Sequence, residues 1–347
     1  MKVRTALTRA RLRAAFSAAY GEVSERPLVV VALEGEDGIT GLGEAAPLEA
    51  YDGISIDHVS AALTDCAPVL GESDGVEHAE VLAACREVAV LPQAVAAIDL
   101  ALWDLAARRA GVPVWRLLGA VEPPPVAVNW TIGATDRAGA AREAARARAD
   151  GYGCVKVKVG VGDDAGRLAA VRAATGPELA LRIDANGAWS VAEAKAALRA
   201  LAPVGLELCE EPSSGVENVR GVWGASEVAI AIDETAAAPG ALAQRCCDAV
   251  CLKIARCGGI SGLLGQAAQA RAAGYDVYLA STFDGPLGIA AALHAAAALE
   301  PSRPCGLATL ALFEGRGDLL PVRAGVMAVP AGPGLGAGLA QWYRPGR

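Results

Sequence analysis

Six charged residues in the middle of the sequence have the types and spacing of a catalytic site. Each lies at or next to the end of an apolar run, and in chain order they are Lys156, Lys158, Asp184, Glu210, Asp233 and Lys253. The runs follow one another at intervals of about 20 to 28 residues, the length of a strand plus a helix. Charge at the end of a buried parallel strand lies where a barrel or sheet opens to a ligand. The pattern therefore predicts that the six side chains share one site.

The three acids, Asp184, Glu210 and Asp233, predict a metal site. Converging carboxylates need a cation to offset their mutual repulsion, and oxygen donors without a neighbouring His or Cys suit Mg²⁺, while Mn²⁺ would also fit. A single acid at a strand end more often caps a helix or forms a salt bridge. Three acids on consecutive strands, accompanied by lysines, favour the metal site.

The three lysines, Lys156, Lys158 and Lys253, are the candidate catalytic residues. Lys156 and Lys158 are two positions apart on one strand, so both point into the barrel, and Lys253 arrives four strands later. Crowded cations depress one another's pKa, so one amine can be neutral near pH 7; alternatively a lysine only neutralises the acids, which is our interpretation of Lys156. A lysine would remove the proton alpha to a metal-bound carboxylate and leave an enediolate.

The elements that must position these residues are repeated β–α units of an α/β protein. Strand candidates begin near residues 127, 154, 180, 206, 228, 249, 276 and 303, with Ala-rich amphipathic segments between them. Eight successive units favour a closed barrel over an open doubly wound sheet.

The rest of the chain predicts two further parts. Residues 1–120 form an α+β domain, with strands up to about residue 45, a hairpin turn at 36–38 and helices from about 55. Residues 121–320 form the barrel, and residues 321–347 are a segment that returns to the first domain.

Composition excludes several classes of protein. A net charge of −8 argues against nucleic-acid binding, and the most apolar segment, 286–299, is too short to span a membrane. The chain start has no apolar signal core, so we expect a cytoplasmic protein. The nine cysteines, an odd number without a Cys-x-x-Cys pair, indicate buried reduced thiols.

The motifs together resemble the enolase superfamily, and within it the muconate lactonizing enzyme subgroup of the mandelate racemase/muconate lactonizing enzyme family. Inside the barrel the matching segments are Lys156-Val-Lys158, Asp184-Ala-Asn186, Glu210-Glu-Pro212, Asp233-Glu234 and Lys253–Gly259; outside it they are Gly43–Pro47, Ala97–Asp104 and Pro333–Gly336. The resemblance covers nearly the whole chain. It implies a (β/α)7β TIM-like barrel with an N-terminal α+β capping domain, and a homo-oligomer.

The resemblance also implies roles for individual residues. The three acids would bind Mg²⁺, Lys158 would be the base on one face, Lys253 the second lysine, and Lys156 would tune Lys158. Candidates for substrate binding, of which Asn186 and Glu234 could equally be structural, are Tyr20, Tyr51, Asn186, Glu234, Ser281 and Asp284. The three histidines fall outside the strand ends and are interpreted as structural, which disfavours the mandelate racemase subgroup.

The substrate is a small carboxylate, but related activities share all of these residues. Segments 43–48 and 304–309 resemble o-succinylbenzoate synthases, so our main expectation is dehydration of a cyclohexadiene carboxylate, with Lys253 acting as a cation. The alternatives are a racemase or epimerase of N-acyl amino acids or dipeptides, although the Asp-x-Asp signature is absent, and a muconate-type cycloisomerase. Alternatives of a different class are a metal-dependent hydrolase, which would usually need His ligands, and a catalytically silent binding protein.

Overall fold

The N-terminal part of the chain contains an antiparallel sheet. The computed structural model describes residues 1–225 and 227–344. Strands β1 (Lys2–Ala18), β2 (Gly21–Glu34) and β3 (Thr40–Ala45) pair in this order. The turn predicted at 36–38 is confirmed, since it joins β2 to β3. The longer β1–β2 hairpin has an irregular register between Arg11 and Phe16, and its tip carries Tyr20.

Five helices follow this sheet, and one of them packs on it unusually closely. They are α1 (Glu49–Asp52), α2 (Ile56–Gly71), α3 (His78–Val88), α4 (Pro92–Ala110) and α5 (Val114–Leu117). Gly43 of β3 lies against α4, where an added Cβ would come within 1.9 Å of the Ala97 carbonyl oxygen. Glycine at this position therefore allows the sheet and helix to touch through their backbones.

The central element is a parallel sheet of seven strands in chain order. A short strand, β4 (Val126–Ala127), precedes it; the seven strands are β5 (Trp130–Ile132), β6 (Cys154–Lys158), β7 (Ala180–Asp184), β8 (Leu208–Glu210), β9 (Ala229–Ile232), β10 (Ala249–Lys253) and β11 (Asp276–Ala280). The helices between or after them are α6 (Arg137–Ala149), α7 (Asp164–Thr175), α8 (Val191–Leu201), α9 (Val216–Val222), α10 (Gly259–Ala272) and α11 (Pro286–Leu299). Residues 233–248 between β9 and β10 contain a 3₁₀ turn, Glu234–Ala237, where the repeat predicts an α-helix.

Two residues, Cys305 and Gly306, occupy the eighth position of the barrel. Cys305 bridges to Val128 at one edge of the sheet, and Gly306 bridges to Ala280 of β11 at the other. The strand predicted to begin near residue 303 is confirmed in position, and it is short because Pro304 has no N–H to donate to a ladder. The barrel nevertheless closes, and the predicted TIM-like α/β architecture is confirmed.

The C-terminal segment contacts both parts of the molecule. β12 (Val322–Arg323) and β13 (Val326–Met327) form a hairpin, and β13 pairs with β4. The 3₁₀ turn Leu339–Tyr343 reaches the capping sheet, where the Tyr343 hydroxyl donates to Glu44. The domain boundaries stay a prediction, and residues 345–347 of the predicted third segment lie outside the described residues.

Two expectations about the core can be compared with the structure directly. All nine cysteines are buried and free, as predicted. Among the described residues no helix is long and apolar enough to span a bilayer, and the apolar helix α11 has 14 residues.

Candidate active site

The register of the parallel strands brings the predicted charged residues to one end of the barrel. Lys158 of β6 pairs with Asp184 of β7, and Asp184 pairs with Glu210 of β8. Asp233 directly follows β9, and Lys253 is the last residue of β10. Since parallel strands share one direction, these side chains gather at the carboxyl edge.

The lysines and acids form one connected, buried cluster. Lys156 Nζ lies 2.6 Å from Glu210 Oε1 and 2.8 Å from Asp184 Oδ2, and Lys158 Nζ lies 2.6 Å from the same Asp184 oxygen. Lys253 forms an ion pair with Asp233 on the opposite side. Unpaired charges would be very costly at this depth, so the pairing is required for the cluster to be buried.

Burial and the ion pairs act in opposite directions on the pKa of the lysines. Burial lowers the pKa of Lys156, but Asp184 and Glu210 outweigh burial and hold it above its ordinary value. For Lys253, Asp233 has the same effect on the pKa against the same burial. Mutual depression between crowded cations therefore does not dominate the pKa of Lys156 or Lys253. This result agrees with the interpretation that Lys156 neutralises the acids.

The donor set at the strand ends fits Mg²⁺. Ligand atoms of Glu210, Asp233 and Cys251 lie within 4.8 Å of one another. The predicted ligand Asp184 is not part of this group, but Lys156 forms ion pairs with both Asp184 and Glu210. Burial, then Glu210 and Asp233, raise the pKa of Cys251 well above its ordinary value, and Mg²⁺ prefers oxygen donors to a soft sulfur, so Cys251 is a poor ligand for it. Burial would raise the pKa of Asp184, but Lys156 and Lys158 lower it overall, so Asp184 is ionised. Asp233 Oδ1 is buried without a hydrogen-bond partner, with Arg256 Nη1 3.9 Å away, so this oxygen can serve as a ligand for a hard cation.

A chain of side chains supports Lys158 from within the barrel. Lys158 Nζ donates to Asn186 Oδ1 at 2.8 Å, and Asn186 Nδ2 donates to Glu234 Oε1 at 2.8 Å. Asn186 has a positive φ of 45°, and its backbone N–H donates to Asp184 Oδ1. Asn186 lines the cavity described below, whereas Glu234 is not among the lining residues and is linked to Lys158 by Asn186; the predicted contact of Glu234 with substrate stays a prediction.

Two tyrosines of the capping domain cover the two lysines. The Tyr51 hydroxyl accepts from Lys253 Nζ at 2.7 Å and from Arg256 Nη1 at 3.0 Å. Lys158 Nζ lies 5.6 Å from the ring centroid of Tyr20, and the two tyrosine rings meet edge to face at 5.4 Å. The structure thus places both predicted loop residues over the site. Arg256 received no role from the sequence, although it belongs to the segment that begins with Lys253.

A second residue without a predicted role is Glu211. Its carboxylate accepts hydrogen bonds from the backbone N–H groups of Asp233 and Thr235, at 2.7 and 3.0 Å, and from the Thr235 hydroxyl. Glu211 therefore holds the segment that presents Asp233 to the cluster. The sequence contained a signal for this supporting role, because Glu210 and Glu211 are adjacent at the end of β8. Neighbouring side chains there point to opposite sides, so only one of the two acids can point into the barrel.

A cavity of about 510 Å³ opens next to the lysines. Its lining includes Lys156, Lys158, Asn186, Asp233 and Lys253, whereas Asp184 and Glu210 are fully buried below them. Both domains contribute to the rest of the lining, which includes Phe16, Tyr20, Leu48, Tyr51, Ser281, Phe283, Thr309 and Leu310. Ser281 is therefore located where a substrate-binding residue is expected.

Asp284 is not among the residues that line this cavity. Its side chain is buried, accepts a hydrogen bond from Thr282 Oγ1 at 2.7 Å and lies in the field of Arg26 and Glu44. Phe283 before it has a positive φ of 57°, which turns the chain so that Phe283 and not Asp284 faces the cavity. Asp284 thus lies beside charged residues of the capping domain, and its predicted contact with substrate stays a prediction.

The histidines make structural contacts. His294 is buried, its Nδ1 accepts from the Trp115 backbone N–H, and burial lowers its pKa to about 4. His78 lies 2.9 Å from Asp99, and His58 is exposed on α2. None of the three lines the cavity, in agreement with the sequence-based interpretation.

Comparisons with known proteins agree with this geometry. Residues 1–119 match the family model "Mandelate racemase / muconate lactonizing enzyme, N-terminal domain", and residues 139–342 match "Enolase C-terminal domain-like". A hydrophobic dipeptide epimerase of Enterococcus faecalis is 31% identical over 316 residues, 86% of this chain and 88% of that protein. Muconate cycloisomerase 1 of Rhodococcus opacus is 31% identical over 335 residues, 91% and 90% of the two chains.

A solved structure extends the comparison to three dimensions. The structure of the Enterococcus faecalis dipeptide epimerase complexed with Mg and the dipeptide L-Leu-L-Tyr has a TM-score of 0.90, at 25% identity, covering 96% of this chain and 98% of that chain.

Proposed function

Because the chain belongs to the mandelate racemase/muconate lactonizing enzyme family of the enolase superfamily, we propose that it racemises or epimerises the α-carbon of N-acylated amino acids, including dipeptides. The observation that carries this proposal is the placement of two lysines, Lys158 and Lys253, on opposite sides of one carboxylate cluster. Inversion at carbon needs a proton removed from one face and a proton delivered to the other. Two amines in these positions supply both.

Each group in the cluster has a separate task. Mg²⁺, held by Asp184, Glu210 and Asp233, would stabilise the negative charge that develops on the substrate carboxylate. Lys158 takes the α-proton, the C–H electron pair moves toward the carboxylate, and Lys253 returns a proton to the other face. The reverse reaction exchanges the roles of the two lysines. Lys156 remains between Asp184 and Glu210 and keeps these acids ionised and in position.

The cavity favours a substrate whose nitrogen carries a neutral acyl group. Besides Asp233, the acids that line the cavity are Glu143, Asp150 and Asp318. Glu143 and Asp150 lie where α6 leads into β6, at the end of that strand opposite Lys158. The wall beside the lysines offers aromatic rings, apolar side chains and the hydroxyls of Ser281 and Thr309. Asp318 lies near Glu143 and Asp150, since burial, Asp150 and Asp318 together raise the pKa of Tyr152, two residues before β6. Of the four lining acids, only Asp233 is therefore close to the α-carbon, where it would meet a free ammonium group.

A second candidate is a muconate-type cycloisomerase. The apolar wall and the muconate cycloisomerase of Rhodococcus opacus among the relatives support it. In that reaction one lysine would act as base or acid, and the other would remain a cation. The relatives reported above support either activity more than dehydration to o-succinylbenzoate, which was our main expectation from the sequence.

The test is a substrate screen in D₂O with Mg²⁺. We expect N-acyl amino acids to exchange their α-proton for deuterium and to invert, with dipeptides following, as measured by proton NMR and polarimetry. Lys158→Ala and Lys253→Ala should each abolish inversion, whereas Lys195→Ala, on the outer helix α8, should not.

Other outcomes of the screen would replace the proposal. Lactonisation of a muconate without exchange of any amino-acid derivative would assign the cycloisomerase. If only the cyclohexadiene carboxylate precursor of o-succinylbenzoate is converted, the function is the dehydration that we expected from the sequence.

A further inference from the structure

The Tyr51 hydroxyl is shared by two cations of the barrel. It accepts from Lys253 Nζ at 2.7 Å and Arg256 Nη1 at 3.0 Å, and its ring centroid lies 4.5 Å from Lys253 Nζ and 5.1 Å from Arg256 Cζ. Tyr51 therefore contacts Lys253 through both its oxygen and its π-face. For Lys158 the corresponding tyrosine is Tyr20, and within the described residues no hydrogen bond joins that pair; the Lys158 partners are Asp184 and Asn186.

The capping domain, not the barrel, sets the position of Tyr51. Tyr51 lies in the four-residue helix α1, which ends at Gly53 with a φ of 73°. The carboxylate of Asp52 accepts from the backbone N–H groups of Leu48 and Ile54, at 3.2 and 2.9 Å, and from Gln93 Nε2 at 2.9 Å. These contacts fix the turn to the start of α4, so Tyr51 reaches Lys253 only when the capping domain lies over the barrel mouth.

Tyr51, unlike Asp233, is not among the residues that would hold the metal, although its oxygen also accepts from Arg256. The remaining partner, Asp233, is one of the acids that fit the metal, and an oxygen engaged by a cation is a weaker acceptor for Lys253. A phenol oxygen can accept from an ammonium group, and its O–H can donate to a neutral amine. The contact can therefore hold the Lys253 nitrogen in one place through both halves of a proton transfer.

From these observations we propose that Tyr51 is a positioning residue for Lys253 and not for Lys158, so the capping domain controls proton transfer on one face of the substrate. This inference rests on the proposed function, since it assigns different supports to the two lysines that act on opposite faces. Arg256 assists by holding the Tyr51 oxygen from the other side, and its own Nη2 reaches the Glu234 carbonyl at 3.4 Å.

The test is Tyr51→Phe, which removes the hydroxyl and keeps the ring. Racemisation rates in the two directions are tied by the equilibrium constant, so the readout is exchange of the α-proton with retention, measured separately for each enantiomer in D₂O. Lys253→Ala identifies the enantiomer that Lys253 serves. In Tyr51→Phe we expect exchange of that enantiomer to fall about tenfold, the loss of one hydrogen bond to a charged group, with KM little changed. Exchange of the other enantiomer is the internal reference and should persist.

An equal fall for both enantiomers, or a rise in KM without a change in kcat, would overturn the proposal, because a simple cover over the substrate would act on both faces. Unchanged exchange on the Lys253 face would overturn it as well.

A second readout does not depend on turnover, so it separates this inference from the proposed function. Acetylation of the protein with limiting acetic anhydride, followed by peptide mass spectrometry, compares Lys253 with Lys158 in the same sample. Tyr51→Phe should raise the labelling of Lys253 relative to Lys158, and an unchanged ratio would contradict a positioning role. If the wild-type protein exchanges no substrate proton, the proposed function fails while the labelling ratio still tests the contact.

Discussion

The two sides of the active-site cluster use the same residue type in different surroundings. Lys158 is held by Asp184 and Asn186, both of which belong to the barrel. Lys253 is held by Asp233 of the barrel and by Tyr51 of the capping domain. Two amines that look equivalent in the sequence therefore depend on different parts of the fold. The Lys253 face therefore depends on a hydrogen bond from the capping domain, whereas on the Lys158 face the capping domain contributes the ring of Tyr20 and, among the described residues, no hydrogen bond to the amine.

The largest expected effect is the loss of proton exchange on one face of the substrate when the lysine on that face is removed. Lys158→Ala should lower proton exchange on its own face by about 10²- to 10⁴-fold, the usual contribution of a general base. Exchange on the Lys253 face should survive, because none of its contacts includes Lys158. Enantiomer-specific deuterium incorporation followed by NMR checks this, and loss of exchange on both faces would show that the two sides act as one unit.

Glu211→Gln, on the Lys253 side, is expected to weaken Mg²⁺ binding, a smaller effect than that of Lys158→Ala on proton exchange. Glu211 fixes the backbone around Asp233, and loss of an outer support of this kind typically costs about 10- to 100-fold in metal affinity. Isothermal titration with Mg²⁺ measures the change. Glu193→Gln, exposed in the capping box of α8, is the matched control and should bind Mg²⁺ as the wild type does. Equal affinity in the two variants would mean that Asp233 is held by other contacts.

On the Lys158 side, Asn186→Ala should lower the rate of proton exchange on the Lys158 face by about tenfold. This is the cost of losing a hydrogen bond to a charged group. The substitution breaks the link from Lys158 to Glu234 and leaves the contact between Tyr51 and Lys253 intact. Deuterium incorporation should therefore fall on the Lys158 face only, the mirror image of the result expected for Tyr51→Phe. A fall on the Lys253 face would contradict the independence of the two sides.

The smallest effect tests the contact between the domains away from the lysines. Burial, and after it Asp284, raise the pKa of Glu44 to about 8, while Glu44 accepts from the Gly285 N–H and the Tyr343 hydroxyl. The folded protein thus binds a proton that the unfolded chain releases near its ordinary pKa of about 4.5. This contribution to stability is full below pH 4.5 and is lost as the pH rises through 8.

Glu44→Gln should therefore flatten the fall in melting temperature between pH 5 and 9, by an amount equivalent to a few kcal/mol at most. Thermal unfolding followed by circular dichroism across this range compares the variant with the wild type. Burial also raises the pKa of Glu211 to about 8 and that of Glu234 to about 7, so only the difference between the two curves reports on Glu44. Parallel curves would mean that Glu44 does not titrate in this window.

The charged cluster could be predicted from the sequence because parallel strands in a fixed register leave little freedom. Once Lys158, Asp184 and Glu210 end adjacent strands, they must become neighbours, and the period of the repeat identifies those ends. Asp284 could not be placed in this way, because the positive φ of Phe283 reverses which side chain faces the cavity. The contact between Tyr51 and Lys253 joins residues 202 positions apart in different domains, and no local pattern encodes such a contact.

The closure of the barrel at Cys305 and Gly306 has a consequence for the order of folding. At this seam Cys305 joins the end of the barrel sequence to its beginning, because its N–H donates to the Ala127 carbonyl and its carbonyl accepts from the Asn129 N–H, whereas the Gly306 N–H donates to the Leu279 carbonyl of the preceding strand β11. Pairing over such a separation is penalised by chain entropy until the intervening strands have assembled. We therefore expect the seam to form last and to open first, so that the amide protons of 305 and 306 exchange with water before those of β6 to β10.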